Sequence, residues 1–292
     1  MGTPGRFTTF CNPKVNAQFK KMFDAWAAFL GSPESRYVLS NANDGWFGPT
    51  ASTAMPNFSQ TFICEPDAEY YGFKSWDDFF TRRFRPGIRP VQFPDNDAVV
   101  NSACESRIYR IAQGVKEMDS FWLKGEPYFL SHMLNHDPYT SQFVGGAVYQ
   151  AFLSTLNYHR WASPVNGKVV KVVHVPGTYY AESPVLEFYE AGPNLSQGFI
   201  TVIAARALIF IEADNPDIGL MCFVAVGMAE VSTCEVRVKT GDRIKKGDET
   251  GMFHFGGSTH CLVFRPQTKI TFNPDYPVDA MVPLNVALAT IG

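Results

Sequence analysis

The sequence predicts an α+β, β-dominated fold: a barrel or sandwich of short strands with a few N-terminal helices. Three observations carry this. From residue 98 onward, short β-branched and aromatic runs alternate with Gly, Pro, Asn and Asp turns. Only one long stretch, 14–30, places apolar residues at helical spacing. Hydrophobic residues make up 46% of the chain against 18% charged, the balance of a packed core rather than a disordered chain. The 292 residues fit two average domains or one large β domain. The predicted division is a helical and loop region, 1–97, packed on a β-rich domain, 98–292.

In the 14–30 stretch, Val15, Phe19, Met22, Phe23, Trp26, Phe29 and Leu30 draw one stripe, which reads as a packing helix. Residues 31–74, rich in Gly, Pro, Ser and Asn, read as a long loop. Ser75 and Asp78 have capping-box spacing and open a short helix through Phe80, ended by Pro86-Gly87. Arg82, Arg83, Arg85 and Arg89 crowd residues 81–90. They suit an anion site or a set of ion pairs stapling a proline-stiffened segment, and the staple is the preferred reading.

Strands are predicted at 98–103, 107–111, 148–156, 165–175, 199–211, 220–226, 230–239, 250–253, 261–264 and 269–272, with one helix at 130–136. Segments 163–179 and 238–255 echo each other. Their Gly-bearing turns resemble those of lipoyl-type, barrel-sandwich hybrid domains. No Lys sits at a hairpin tip between small or Met residues, so the likeness is one of architecture and not of a carrier.

With 25 Lys+Arg against 28 Asp+Glu, the net charge of −3 excludes a general electrostatic affinity for nucleic acid. No apolar run approaches the roughly 20 residues of a membrane span, and no h-region marks a secretory signal. Six single Cys without a CxxC pair point to a reducing compartment and no structural zinc. The expectation is a soluble cytoplasmic protein.

The stretch FHFGGST (253–259) carries chemistry. Two glycines make the backbone pliable and leave the Gly257 carbonyl open to the Ser258 hydroxyl. An N-to-O acyl shift gives an ester, elimination across Ser258 gives dehydroalanine, and hydrolysis leaves a pyruvoyl group. That ketone condenses with a substrate amine and serves as an electron sink for decarboxylation, the task usually given to PLP. Alone, a Gly-Gly-Ser triplet also suits an ordinary β-turn.

Further motifs accompany it: DDFFTRRFRPGIRP (77–90), NSACES (101–106), LNYHRWASPVNG (156–167), VGMAEVSTCEV (226–236) and KKGDETGMFHFGGST (245–259). In these the chain resembles the phosphatidylserine decarboxylase family, whose members form a pyruvoyl group at a Gly-Ser bond. FKKMFDAWAAFL (19–30), YYGFKSWDDFF (70–80), PGTYYA (176–181) and FIEADN (210–215) bring it nearest to the family's soluble fungal branch acting on tryptophan.

The resemblance implies that Ser258 is the self-cleaving residue and that Gly257 gives the carbonyl side of the scissile bond. It implies that Glu105 stands in place of the Asp of an acid–His–Ser triad. His159 matches the first member of a His-x-x-His pair and would protonate the carbon after CO2 leaves. The second member, the expected general base, is Ala162. Loss of a general base typically removes about 10²–10⁴-fold of rate, so slow or absent cleavage is expected, as in an uncleaved precursor. After cleavage the protein would be a heterodimer of 1–257 and 258–292, with homo-oligomerisation left open.

The implied cofactor is the Ser258-derived pyruvoyl group, without PLP or metal. The implied substrate is a small amino acid, L-tryptophan before other aromatics. Phosphatidylserine is the alternative, and a non-catalytic pseudoenzyme or carrier-like module is the second one. Of the other candidates, His254 lies about 13 Å from Ser258 if the chain is extended, and His260 lies two residues beyond it. Each is a weaker candidate base. His132 and His136 share a helical face without a third metal ligand, His174 reads as a core histidine, and Glu212 and Asp214 as turn carboxylates.

Overall fold

The computed structural model describes residues 4–118, 128–183, 196–230, 233–256 and 258–292. Its strands are β1 (Val99–Asn101), β2 (Ser106–Gln113), β3 (Ala147–Leu153), β4 (Arg160–Ala162), β5 (Gly167–Val175), β6 (Arg206–Ala213) and β7 (Leu220–Gly227). They continue with β8 (Cys234–Val236), β9 (Arg243–Ile244), β10 (Glu249–Phe253), β11 (Ser258–Phe264), β12 (Ile270–Phe272), β13 (Met281–Val282) and β14 (Ala287–Ile291). An eight-stranded antiparallel sheet runs β13-β2-β3-β11-β7-β6-β5-β9, beside two three-stranded sheets, β1-β14-β12 and β4-β10-β8. This is the β-dominated architecture expected from the run-and-turn pattern.

The central strands β7 and β11 are buried on both faces, which is why β7 and the Cys261–Phe264 half of β11 read as continuous apolar runs. Along β11, Leu262 and Phe264 enter a core with Trp161, Phe223 and Phe253. Cys261 and Val263 enter another with Phe143, Leu208 and Phe210 on the opposite face. The period of two puts Ser258 and His260 on the Trp161 side.

The two echoing segments bind each other. Gly167 and Lys168 of β5 pair with Ile244 and Arg243 of β9, and Ser163 exchanges hydrogen bonds with Asp248 (2.8 Å) and Gly247 (3.0 Å). Gly241 (φ 100°) and Gly247 (φ 83°) make the turns that permit this, a conformation costly for other residues.

The long helix spans Pro13–Leu30, with the Asn12 side chain accepting from the Lys14 N–H at 2.9 Å. Phe23 and Leu30 are buried, and Phe23 meets Tyr179 edge-on at 5.1 Å. Met22, Trp26 and Phe29 stay 53%, 43% and 42% exposed, so only one edge of the apolar stripe packs.

Several local expectations are corrected. Residues 31–74 are not a bare loop. Pro49–Ala54 and Phe58–Thr61 are short helices, and Phe47, Phe73 and Phe79 form an aromatic core with Phe58 and Tyr71. Gly and Pro here mark turns between packed aromatics.

The predicted strand 199–211 begins as a helix, Gln197–Ile203, and becomes β6 only at Arg206. Arg206 donates to the carbonyls of His132, Met133 and Ala204, securing the reversal. Tertiary packing here overrides β propensity. The 130–136 helix stops at Met133, followed by Asn135 and His136 at positive φ. Of the 230–239 run only Cys234–Val236 is strand; Val231 and Ser232 lie outside the described residues. His174 is exposed on β5 rather than in the core.

Candidate active site

Ser258 opens β11, paired with Leu153 of β3 and Gly227 of β7 in the middle of the large sheet. It is fully buried, and its Oγ has no hydrogen-bond partner among the described residues. Such a hydroxyl is costly to desolvate. The turn feeding it passes through Phe255 (φ 32°) and Gly256 (φ 98°). Gly257, the expected carbonyl side of the scissile bond, lies outside the described residues.

His159 precedes β4, and its carbonyl accepts from the Phe253 N–H at 2.9 Å, which ties it to the end of β10 just before that turn. Its ring is fully buried, stacked on Phe80 with centroids 3.9 Å apart, and neither nitrogen has a partner among the described residues. Burial, then the Arg82 guanidinium, holds its pKa well below the ordinary imidazole range, while backbone groups of Asn157 and Gly256 pull the other way. His159 is therefore a neutral imidazole beside the glycine turn.

Glu105 is occupied elsewhere. Arg89 holds its carboxylate in a two-point ion pair, at 2.6 and 2.7 Å, and the Leu284 N–H reaches it at 3.3 Å. Ala162 packs against Leu284, Tyr158 and Phe62. With Arg89 it lines a cavity of about 380 Å³. Glu105 and Ala162 thus adjoin through Leu284, and His159 adjoins the turn before Ser258. No hydrogen bond joins Glu105 to His159 or Ser258 among the described residues.

The arginine segment is a staple, as preferred. Arg82 is buried and donates to the carbonyls of Leu156 (2.7 Å) and Asn157 (3.3 Å), while Phe62 lies 4.4 Å from its guanidinium. Burial lowers its pKa to about 10, so it stays charged. Arg83 pairs with Glu249 at 2.8 Å, and Arg85 donates to the Ser59 and Cys64 carbonyls. Phe80 and Arg82 fall within the 77–90 motif and Arg82 within the arginine segment, but nothing in the sequence tied either to His159, which Phe80 stacks on and Arg82 adjoins through the Asn157 carbonyl.

His254 is not a free base. One ring nitrogen lies 2.9 Å from Asp77 and the other 2.8 Å from Glu235. Burial alone would lower its pKa, but the two carboxylates outweigh it and hold the value above the ordinary range. His260, buried between Tyr149 and Phe223, is pushed by burial down to about 3. His136 meets the Ser131 hydroxyl at 2.8 Å, and Asp214 pairs with Arg243 at 2.7 Å. No cluster of three or more potential metal ligands occurs among the described residues.

A larger cavity, about 810 Å³, opens between the long helix and the body, lined by Asn16, Ala17, Tyr179, Ala205 and Cys234. Ala205 accepts from the N–H of Gly227, the neighbour of Ser258 across the sheet, so this space adjoins the reactive strand.

The chain that carries this glycine turn, buried serine and neutral imidazole is similar to decarboxylases, a class of carboxy-lyases. A phosphatidylserine decarboxylase model matches residues 76–280, and a second such model matches residues 1–55. The decarboxylase iboD of Amanita muscaria is 46% identical over 99% of this chain and 88% of its own length. The L-tryptophan decarboxylase of Psilocybe cubensis is 43% identical over 92% of this chain, which spans 66% of that relative. Phosphatidylserine decarboxylase proenzyme 3 of Schizosaccharomyces pombe is 31% identical over 72% of this chain and 21% of its own length. The chain belongs to the phosphatidylserine decarboxylase family.

Proposed function

We propose that this chain is a pyruvoyl-dependent decarboxylase of an aromatic L-amino acid, converting L-tryptophan to tryptamine and CO2. Self-cleavage at Gly257–Ser258 would generate its prosthetic group. The observation that carries the reading is Ser258 itself, its Oγ buried with no hydrogen-bond partner among the described residues at the head of β11, behind Phe255 and Gly256 at positive φ, with the Gly256 backbone against His159. The pyruvoyl group supplies an electron sink for the carbanion left by CO2. These surroundings fit it: among the described residues no side chain competes for the residue-258 oxygen, and residue 258 is fully buried.

His159, neutral and buried, is the proton carrier for the reacting carbon, and Phe80 and Arg82 hold it. Glu105 would orient a base at position 162, where Ala162 provides none. The chain is accordingly a slow-cleaving or uncleaved precursor form. The amino-acid side chain would enter the 810 Å³ space beside Ala205. Aromatic substrates are favoured by the tryptophan decarboxylase relatives, which match nearly the whole chain.

Phosphatidylserine is the second reading. The exposed Met22, Trp26 and Phe29 offer an apolar face that a lipid surface would cover.

The test is intact-mass spectrometry of the Ala162→His protein, with carbonyl-specific labelling and CO2 release from tryptophan, tyrosine, phenylalanine and phosphatidylserine vesicles. Fragments 1–257 and 258–292, the second carrying a ketone, are expected, with CO2 from tryptophan. A single uncut mass, or a PLP requirement, would overturn the reading.

A further inference from the structure

The short helix Trp76–Phe80 touches both sides of the reactive turn. Phe80 at its end stacks on His159 at 3.9 Å, and Asp77 near its start binds His254 at 2.9 and 3.0 Å. Two residues later, Arg82 holds the Leu156 and Asn157 carbonyls just ahead of His159. His254 in turn is the residue between the end of β10 and the positive-φ pair Phe255-Gly256. We propose that this helix is a positioning device for self-cleavage and that His254, clamped as a cation between Asp77 and Glu235, is the positioning residue that sets the turn against His159. The proposal rests on the reading of Gly257–Ser258 as the cleaved bond.

The protonation state follows from the partners. A neutral imidazole has one donor and one lone pair, whereas both ring nitrogens of His254 face carboxylate oxygens, which only accept. Only the doubly protonated ring satisfies both. Glu235 is itself fixed by Arg237 at 2.7 Å, Arg237 by Glu249 at 2.8 Å, and Glu249 by Arg83 and Arg160 at 2.8 and 2.9 Å. The clamp therefore joins Trp76–Phe80, β8, β10 and β4 in one charged chain. Loss of the His254 proton sets a lone pair against a carboxylate and frees one side of the turn. His254 touches no reacting atom; it acts through the backbone that carries Gly256 to His159.

The experiment uses the Ala162→His protein over residues 1–292, in which cleavage is expected to be fast enough to time, from about pH 5.5 to about 9.5, a range spanning the imidazole titration. Cleavage is expected to fall on the alkaline side as His254 deprotonates. His254→Gln should cleave about 10- to 100-fold more slowly at neutral pH, as expected for a misplaced reacting group, and should lack the alkaline fall. His254→Lys should restore most of the rate and carry the fall to higher pH. Asp77→Asn, which leaves the imidazole in place, should move the fall to lower pH.

Unchanged rates and profiles in these variants would overturn the clamp. So would a uniform slowing with the profile unchanged, the mark of a merely structural role. If the Ala162→His protein does not cleave at all, the cleavage reading fails instead. NMR titration of His254 in the uncut chain then decides the clamp separately: a value above the ordinary imidazole range supports it, and one at or below that range sinks it.

Discussion

Phe80 and His159 lie face to face, with ring centroids 3.9 Å apart and planes 25° from parallel. The phenyl ring covers the imidazole and keeps it dry and neutral. Phe80→Ala should cost about 3–5 kcal/mol, as for other buried aromatics. Water admitted to the cavity should also raise the His159 pKa towards its ordinary value. Urea unfolding reads the first effect and NMR titration the second; an unmoved His159 would show that other groups keep it neutral.

Ser258→Ala should abolish cleavage and ketone formation while leaving the fold intact. Because the Oγ is buried without a partner among the described residues, its removal should stabilise the chain by about 1 kcal/mol, the low end of the cost of burying an unsatisfied hydroxyl. Denaturant midpoints of the two uncut proteins check this. A loss of stability would mean that the hydroxyl has a partner.

Ala162→His should speed cleavage by about 10²–10⁴-fold, the usual worth of a general base. Adding Glu105→Gln should undo much of that gain, since the carboxylate adjoins position 162 through Leu284. Timed intact-mass spectra separate the single and double variants; equal rates would remove Glu105 from the machinery.

Stability should fall with acid. His159 and His260 are both held below the ordinary value of 6.5, His260 down to about 3. Below pH 6.5 the unfolded chain takes protons that the folded chain refuses. Each histidine therefore removes about 1.4 kcal/mol per pH unit on the way down. His254 has the opposite sign: its folded value is raised, so its contribution is complete below 6.5 and is lost as pH rises through the folded value. Urea unfolding across pH should show a maximum near neutrality, and His260→Phe should flatten the acid side.

Ala17→Trp should fill part of the 810 Å³ space and raise KM for the amino acid more than it lowers kcat. Steady-state kinetics on cleaved Ala162→His protein measure the split. No change in KM would place the substrate elsewhere.

The reactive turn was legible because its chemistry is local: two glycines, a serine and a strand follow one another in the chain. The helix opening at Ser75 was legible for the same reason, and its hydroxyl does accept from the Asp78 N–H at 3.0 Å. His174 misled, because an apolar run on β5 does not reveal which of its alternate faces meets solvent. The helix Gln197–Ile203 misled because β-branched residues take the form that their buried neighbours require.

By itself the sequence determined the β-rich character, the glycine-serine turn and the absence of an imidazole at 162, all properties of residue type and short-range spacing. Only the tertiary structure decided that Glu105 serves Arg89, that His254 is gripped by Asp77 and Glu235, and that the two echoing segments clasp each other. Asp77 and His254 are 177 positions apart. No local pattern encodes such a meeting, because it depends on how the whole chain packs its strands and sets the helix Trp76–Phe80 against them.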